Sequence, residues 1–311
     1  MKLSDLVKQR TELLARSNHS KILAEAEAMN SKLLDLNDQS INDLAEYVSR
    51  NIANTLAIAK NRIDSLVSDV NENILALEAN LLSKTANDFA VDLETDQKYR
   101  QLTIPDNVKD ILVGRIRLYA DWHYPGLEIG PRDGQFTAQL VGLDPLYVVD
   151  ARIENIQSAL SQFPIEYQNR VCKYLVDYSV PEKTLMQLPH TQFGFAFSWN
   201  LFNYVPFNDV KKYLTGVFAL LRPGGTFLFG FNDASMVLGA CQVEWSNMAY
   251  MTKEMLVTAA QRAGFEVAKS YGFDVKSQNL SWLEVKRPGT LTTIKAHQTL
   301  GIIKDFEQKK S

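Results

Sequence analysis

Residues 126–136 read Gly126-Leu127-Glu128-Ile129-Gly130-Pro131-Arg132-Asp133-Gly134-Gln135-Phe136. A short apolar run carrying one acid enters a turn with glycine at both ends, and that order predicts a strand over Gly126 to Ile129, a tight turn and the opening of a helix. Gly130 permits the sharp bend and Gly134 lets the helix start close to a ligand, both for want of a Cβ. Two glycines that merely close a strand-to-helix connection would look the same, so this stretch alone does not speak for function.

Outward from it, Tyr147-Val148-Val149-Asp150 is an apolar strand ending in a carboxylate 16 residues beyond Gly134. A carboxylate at a strand tip can accept from two neighbouring hydroxyls at once. Further on come Phe193-Gly194-Phe195-Ala196-Phe197-Ser198-Trp199-Asn200 and then Leu220-Leu221-Arg222-Pro223-Gly224-Gly225 before another apolar run. Short apolar runs bounded by Gly and Pro alternate here with amphipathic stretches, which predicts β-α units around a mostly parallel sheet. Strands are expected near Gly126 to Ile129, Leu146 to Val149, Tyr174 to Val176, Phe193 to Phe197, Thr226 to Gly230, Phe265 to Tyr271 and Ser281 to Val285, seven in all.

With these segments in order, the turn resembles motif I of the class I S-adenosylmethionine-dependent methyltransferases, E/D-x-G-x-G-x-G, with Glu128, Gly130 and Gly134 in register. Leu221 to Gly225 is similar to the L-[RK]-P-G-G element that precedes strand five in the small-molecule type of that family. The resemblance covers residues 105–289 and implies a Rossmann-like seven-stranded domain with S-adenosylmethionine as cofactor. It implies that Glu128 orients the methionine amino group, that Asp150 holds the ribose hydroxyls, and that Ser198, Trp199 and Asn200 face the methionine part and the acceptor. Asp177, or Gln187-Leu188, would lie beside the adenine, and Trp122 and Tyr124 are further aromatic candidates for covering the cofactor. Neither a metal nor a covalent intermediate is implied. Arg132 departs from the pattern, which commonly has glycine there, and an arginine is compatible with the cofactor only if its side chain points away from it. A nicotinamide-binding G-x-G-x-x-G fingerprint is not met, because Arg132 occupies its second glycine.

The catalytic base has no signature. His19, His123, His190 and His297 belong to no recognisable motif, and Asn203-Tyr204 stands where related small-molecule enzymes often show His-His. No N-P-P-Y motif of the base- or glutamine-directed amino-group methyltransferases occurs. The acceptor, a small molecule or a protein, is therefore left open.

Residues 1–104 have a different grammar. The first proline is Pro105 and the first glycine Gly114. A hundred residues without either breaker predict an all-α, coiled-coil-like region rather than a sheet. Apolar residues recur at helical spacing from Ile41, Leu44 and Val48 through Ile63, Leu66, Val70, Ile74, Leu77 and Leu81. Ser40 followed by Asp43, after Asn37-Asp38-Gln39, reads as an N-cap between two helices, the second running about 50 residues or roughly 75 Å. Such a rod has to pack against residues 1–36, another copy or a different protein, so residues 1–104 are expected to be an oligomerisation or tethering arm. Residues 290–311 form a tail with an amphipathic stretch from Leu300 to Phe306 and then Lys309-Lys310.

The bulk properties narrow the classes. A chain of 311 residues with 46% hydrophobic content suits one or two globular domains. A net charge of -3 gives no global basic field to hold nucleic acid or an anionic membrane. Two cysteines, Cys172 and Cys241, make neither a disulfide framework nor a zinc pattern, which fits a reducing, cytoplasmic setting. No run has the roughly 18 apolar residues of a membrane span. Two functions stand: a methyltransferase with an accessory arm, or a methyltransferase-like domain displayed by the arm as an assembly component. The general character of the chain also resembles proteins of large tailed bacteriophages, for which a virion-associated place would be expected.

Overall fold

The computed structural model describes residues 2–17, 39–95, 102–178, 180–246 and 248–291. His19, the polar break at Asn37-Asp38, His297 and the Leu300 to Lys310 stretch lie outside the described residues.

Seven strands form one sheet: β1 (Gly126–Ile129), β2 (Leu146–Asp150), β3 (Cys172–Leu175), β4 (Phe193–Ser198), β5 (Leu221–Phe231), β6 (Glu266–Val275) and β7 (Gln278–Lys286). Their order is β3-β2-β1-β4-β5-β7-β6, and β7 runs antiparallel to both of its neighbours while β1 to β5 are parallel. This is the sheet of the class I methyltransferase fold, as the sequence led us to expect. The chain direction across the sheet reverses between β1 and β4, and in an open α/β sheet the crevice at that switch point, beyond the carboxyl ends of the strands, is where ligands bind.

The central strands are buried on both faces because their side chains alternate between two apolar layers. Phe193 and Ala196 of β4, Phe227 and Phe229 of β5 and Leu283 of β7 join α7 (Phe207–Leu220) and α9 (Lys253–Arg262) on one side. Phe195, Phe197, Leu228 and Trp282 face α3 (Asp106–Tyr119) and α4 (Ile153–Leu160) on the other. Each such large apolar side chain contributes about 1.5–3 kcal/mol when fully buried. Short helices α5 (Ile165–Arg170) and α6 (Pro181–Leu185) complete the crossovers, and α8 (Val237–Ser246) lies between β5 and α9.

One expected element is missing. The turn after β1 does not open an α-helix; it leads only to a 3₁₀ turn over Thr137–Gln139. Gly142 and Pro145 restrict any helix between Gly134 and β2 to about two turns. Strand β3 begins two residues earlier than expected. Strand β5 also absorbs Leu221 to Gly225, because Leu221 pairs with Phe193 ahead of a register shift.

The arm begins with α1 over residues 3–17 and continues as α2 (Gln39–Thr95), 57 residues or roughly 85 Å at 1.5 Å per residue. Ser40 lies inside the first turn of α2 rather than capping it. The packed row of α2 is Ile63, Val67, Val70, Ile74, Leu77 and Leu81, with steps of four and three in strict alternation. Val67, not Leu66, belongs to it, and Leu66 is exposed. That row joins Leu3, Leu6, Val7 and Leu13 of α1 with Ala234, Ala240, Val243 and Tyr250 in one cluster. The contact is directional as well as apolar. Ser4 donates through its backbone N and its Oγ to the two Glu244 carboxylate oxygens at 3.0 and 2.7 Å, placing an anion at the start of α1. Arg10 Nη2 donates to the Ser235 carbonyl at 3.0 Å. No described helix is long and apolar enough to cross a membrane.

Candidate functional site

At the carboxyl ends of β1 and β4 lies a cavity of about 230 Å³ whose wall includes Glu128, Gly130, Arg132, Asn155, Trp199 and Asn200. The turn that shapes it is fixed by two backbone bonds, Gly130 N to Val149 O at 2.8 Å and Gly134 N to Pro131 O at 2.9 Å. Gly130 has φ +69, and a Cβ there would come within 3.0 Å of Leu201. At φ +77 the missing Cβ of Gly134 makes room for Ala159 of α4, whose Cα would lie 2.7 Å away, so this glycine serves packing.

Glu128 is 2% exposed. Its Oε1 accepts from Thr137 Oγ1 at 3.1 Å, whereas Oε2 is buried without a hydrogen-bond partner. Burial pushes this carboxyl up to about 8; Thr137 opposes the shift and the charge of Asp150 adds to it. A buried acceptor oxygen without a donor costs about 1–3 kcal/mol, and more when charged, so the site suits a ligand that supplies one.

Asp150 sits at the tip of β2, fully buried, but it does not reach the cavity wall. Its Oδ1 accepts from Arg152 N at 3.0 Å and from Asn155 Nδ2 at 2.9 Å. Burial raises its pKa, opposed by those bonds, by the Tyr178 hydroxyl and by the charge of Arg132. Asn155, held by Asp150, is the residue that does reach the wall.

Ser198 is also turned away. Its Oγ donates to Ile129 O at 2.9 Å and ties the ends of β4 and β1 together. Trp199 and Asn200 do line the cavity. Trp199 packs edge-on against Phe136 at 5.4 Å, over Gly230, where a Cβ would lie 2.8 Å from its ring. Asn200 takes φ +63, a conformation Asn tolerates better than most residues, and its Oδ1 accepts from Asn203 Nδ2 at 2.6 Å.

Several other candidate residues are not in the cavity wall. Asp177 is exposed after β3, Gln187 is exposed with its amide on Lys183 O, and Leu188 is in the core. Trp122 is exposed and Tyr124 is buried under Gly194, with Arg222 over its ring; neither lines the cavity. His123 Nδ1 pairs with Asp121 at 2.6 Å on the surface and His190 is exposed, so no described histidine stands in the wall. Arg132, in the glycine position, is among the residues of the wall. Asn155 and Ser158, also in the wall, were not anticipated. They are three apart on α4 and so share a face, a spacing visible in the sequence once the helix is placed.

No protein-family model matches this chain, and no curated protein matches it. Among solved structures it is similar to the N-methyltransferase NodS from Bradyrhizobium japonicum in complex with S-adenosyl-L-homocysteine, at 15% identity over 66% of this chain and 99% of that one, TM-score 0.47. It is also similar to an S-adenosylmethionine-dependent methyltransferase from Mesorhizobium loti, at 15% identity over 56% and 96%, TM-score 0.44. The [4+2]-cyclase SpnF matches at 13% identity over 59% and 83%, TM-score 0.46. These are likenesses of fold, and the chemistry has to be argued from the cavity.

Proposed function

We propose that this chain is an S-adenosylmethionine-dependent methyltransferase, with residues 105–289 as its catalytic unit and residues 1–104 as an accessory arm. The observation that carries the reading is Glu128 Oε2, a buried acceptor without a donor, in the wall of a cavity at the sheet's switch point. An ammonium group is the donor that oxygen lacks.

The cofactor would supply a methyl group already activated on a sulfonium, so what is asked of the protein is to hold and align. Glu128 binds the ammonium of the methionine part. Asn155, oriented by Asp150, offers its amide to the sugar side. Phe136 and Trp199 exclude water along one wall. Trp199 and Asn200, at the end of β4, face the space left for the acceptor.

Calorimetric titration of the full chain with S-adenosylmethionine tests this. Saturable one-site binding is expected, weakened at least tenfold by Glu128→Ala, in line with the loss of one charge-assisted hydrogen bond. Absence of binding at millimolar ligand overturns the reading.

A second reading, the domain displayed by the arm as an assembly component, draws on the length of α2 and on exposed Tyr47, Ile58 and Leu75 along it. A discrete oligomer of the full chain that binds no S-adenosylmethionine would favour it.

A further inference from the structure

We propose that Arg132 determines cofactor specificity by holding the carboxylate of the amino-acid end, opposite Glu128, which takes the ammonium. The inference rests on the S-adenosylmethionine reading above and assigns a role to the residue that departs from the family pattern.

An α-amino acid carries one ammonium and one carboxylate close together, so a site for it needs an acceptor and a cation facing the same space. Glu128 and Arg132 are such a pair. They line one cavity of about 230 Å³, Glu128 from the end of β1 and Arg132 from the loop that follows it. Glu128 presents a buried oxygen without a donor, which points to a cationic ligand group on its side. Arg132, in the same wall, carries a guanidinium, the side chain whose planar fork matches a carboxylate through two parallel hydrogen bonds.

The backbone supports the assignment. Arg132 holds φ +51, a left-handed conformation that glycine adopts without strain and arginine does not. Strain of this kind clusters at ligand clamps, where the side chain has a use that outweighs it. Arg132 also bears electrostatically on Asp150. The two roles are compatible, because a guanidinium has five donor hydrogens and can serve a strand-tip carboxylate and a ligand carboxylate together.

The test is calorimetric titration of the full chain with S-adenosylhomocysteine and with its decarboxylated counterpart, for the wild type, Arg132→Gly and Arg132→Gln. Glycine suits the φ at this position, so the first variant keeps the loop while removing the cation, and melting temperatures check both. The wild type is expected to prefer the carboxylate-bearing ligand by roughly ten- to a hundred-fold, the range of one charge-assisted contact. Both variants should bind S-adenosylhomocysteine as weakly as the decarboxylated ligand and leave the affinity for the latter within about twofold. Equal weakening of both ligands would overturn the proposal in favour of a role in loop shape. Tighter binding of S-adenosylhomocysteine by Arg132→Gly would overturn it in favour of an obstructing side chain. Binding of neither ligand by the wild type would overturn the cofactor reading itself, and this proposal with it.

Discussion

Arg115 of α3 and Glu284 of β7, 169 residues apart in sequence, are joined by two hydrogen bonds, Nε to Oε1 at 2.8 Å and Nη2 to Oε2 at 2.6 Å. Tyr119 closes the group by donating to Glu284 Oε2 at 3.0 Å. The Glu284 side chain has no exposed surface. Removing Arg115 alone would strand a buried charge, so Arg115→Met should destabilise the fold by about 3–5 kcal/mol, and Arg115→Met with Glu284→Leu should recover most of that. Urea unfolding of the two variants checks this, with a double mutant no more stable than the single one as the contrary result.

Gly134 makes a separate prediction, because its positive φ and its approach to Ala159 both exclude a side chain. Gly134→Ala should cost about 2–4 kcal/mol, combining left-handed strain with overpacking against a helix backbone. The loss should appear in the melting temperature. Cofactor affinity of the folded fraction should barely change, since Gly134 contacts α4 rather than the cavity.

Glu128 makes stability fall with rising pH. Its carboxyl is raised from an ordinary 4.5 to about 8 by burial, so between those values the folded protein keeps a proton that the unfolded chain gives up. Each step upward through that window therefore favours unfolding, and the effect is complete above it. Denaturant titrations at about pH 5 and about pH 9 should show the decline, and Glu128→Gln should flatten it. An ammonium-bearing ligand draws the carboxyl back to its ionised form. Binding at about pH 7 should then release up to about one proton, measured by calorimetry in buffers of different ionisation enthalpy. A release unchanged in Glu128→Gln would place that proton elsewhere.

Leu6 tests the seat of the arm. It is 1% exposed in the cluster shared by α1, α2 and the segment from Ala234 to Tyr250. Leu6→Ala should cost about 3 kcal/mol as a core truncation. Amide hydrogen exchange should quicken in residues 237–245 as well as in α1. Acceleration confined to α1 would mean that α8 is ordered without the arm.

Much of the sheet was legible because its punctuation is local. Gly126 and Gly130 bracket β1, and the apolar run before Asp150 sets β2. What was not legible depended on packing. Leu66 and Val67 are adjacent apolar residues on α2, and only the presence of α1 and Tyr250 selects Val67 for the buried row. The helix expected after Gly134 is replaced by a 3₁₀ turn over Thr137–Gln139, in a stretch that Gly142 and Pro145 keep short. Glu128, Trp199 and Asn200 stand in the cavity wall, whereas Ser198 and Asp150 do not. Ser198 Oγ donates to Ile129 and Asp150 Oδ1 accepts from Arg152 and Asn155, while Asp150 Oδ2 is buried without a hydrogen-bond partner. The place of Arg132 in the cavity wall goes with a positive φ that residue identity alone does not disclose.

The setting of Trp199 gives the protein an optical handle. Of its four indoles, those of Trp122 and Trp245 stand in solvent, that of Trp282 is sealed in the sheet, and that of Trp199 alone borders the hollow, its Nε1 hydrogen unclaimed. Occupancy there should be read as a change in one component of the emission spectrum against a steady background from the other three, without any label.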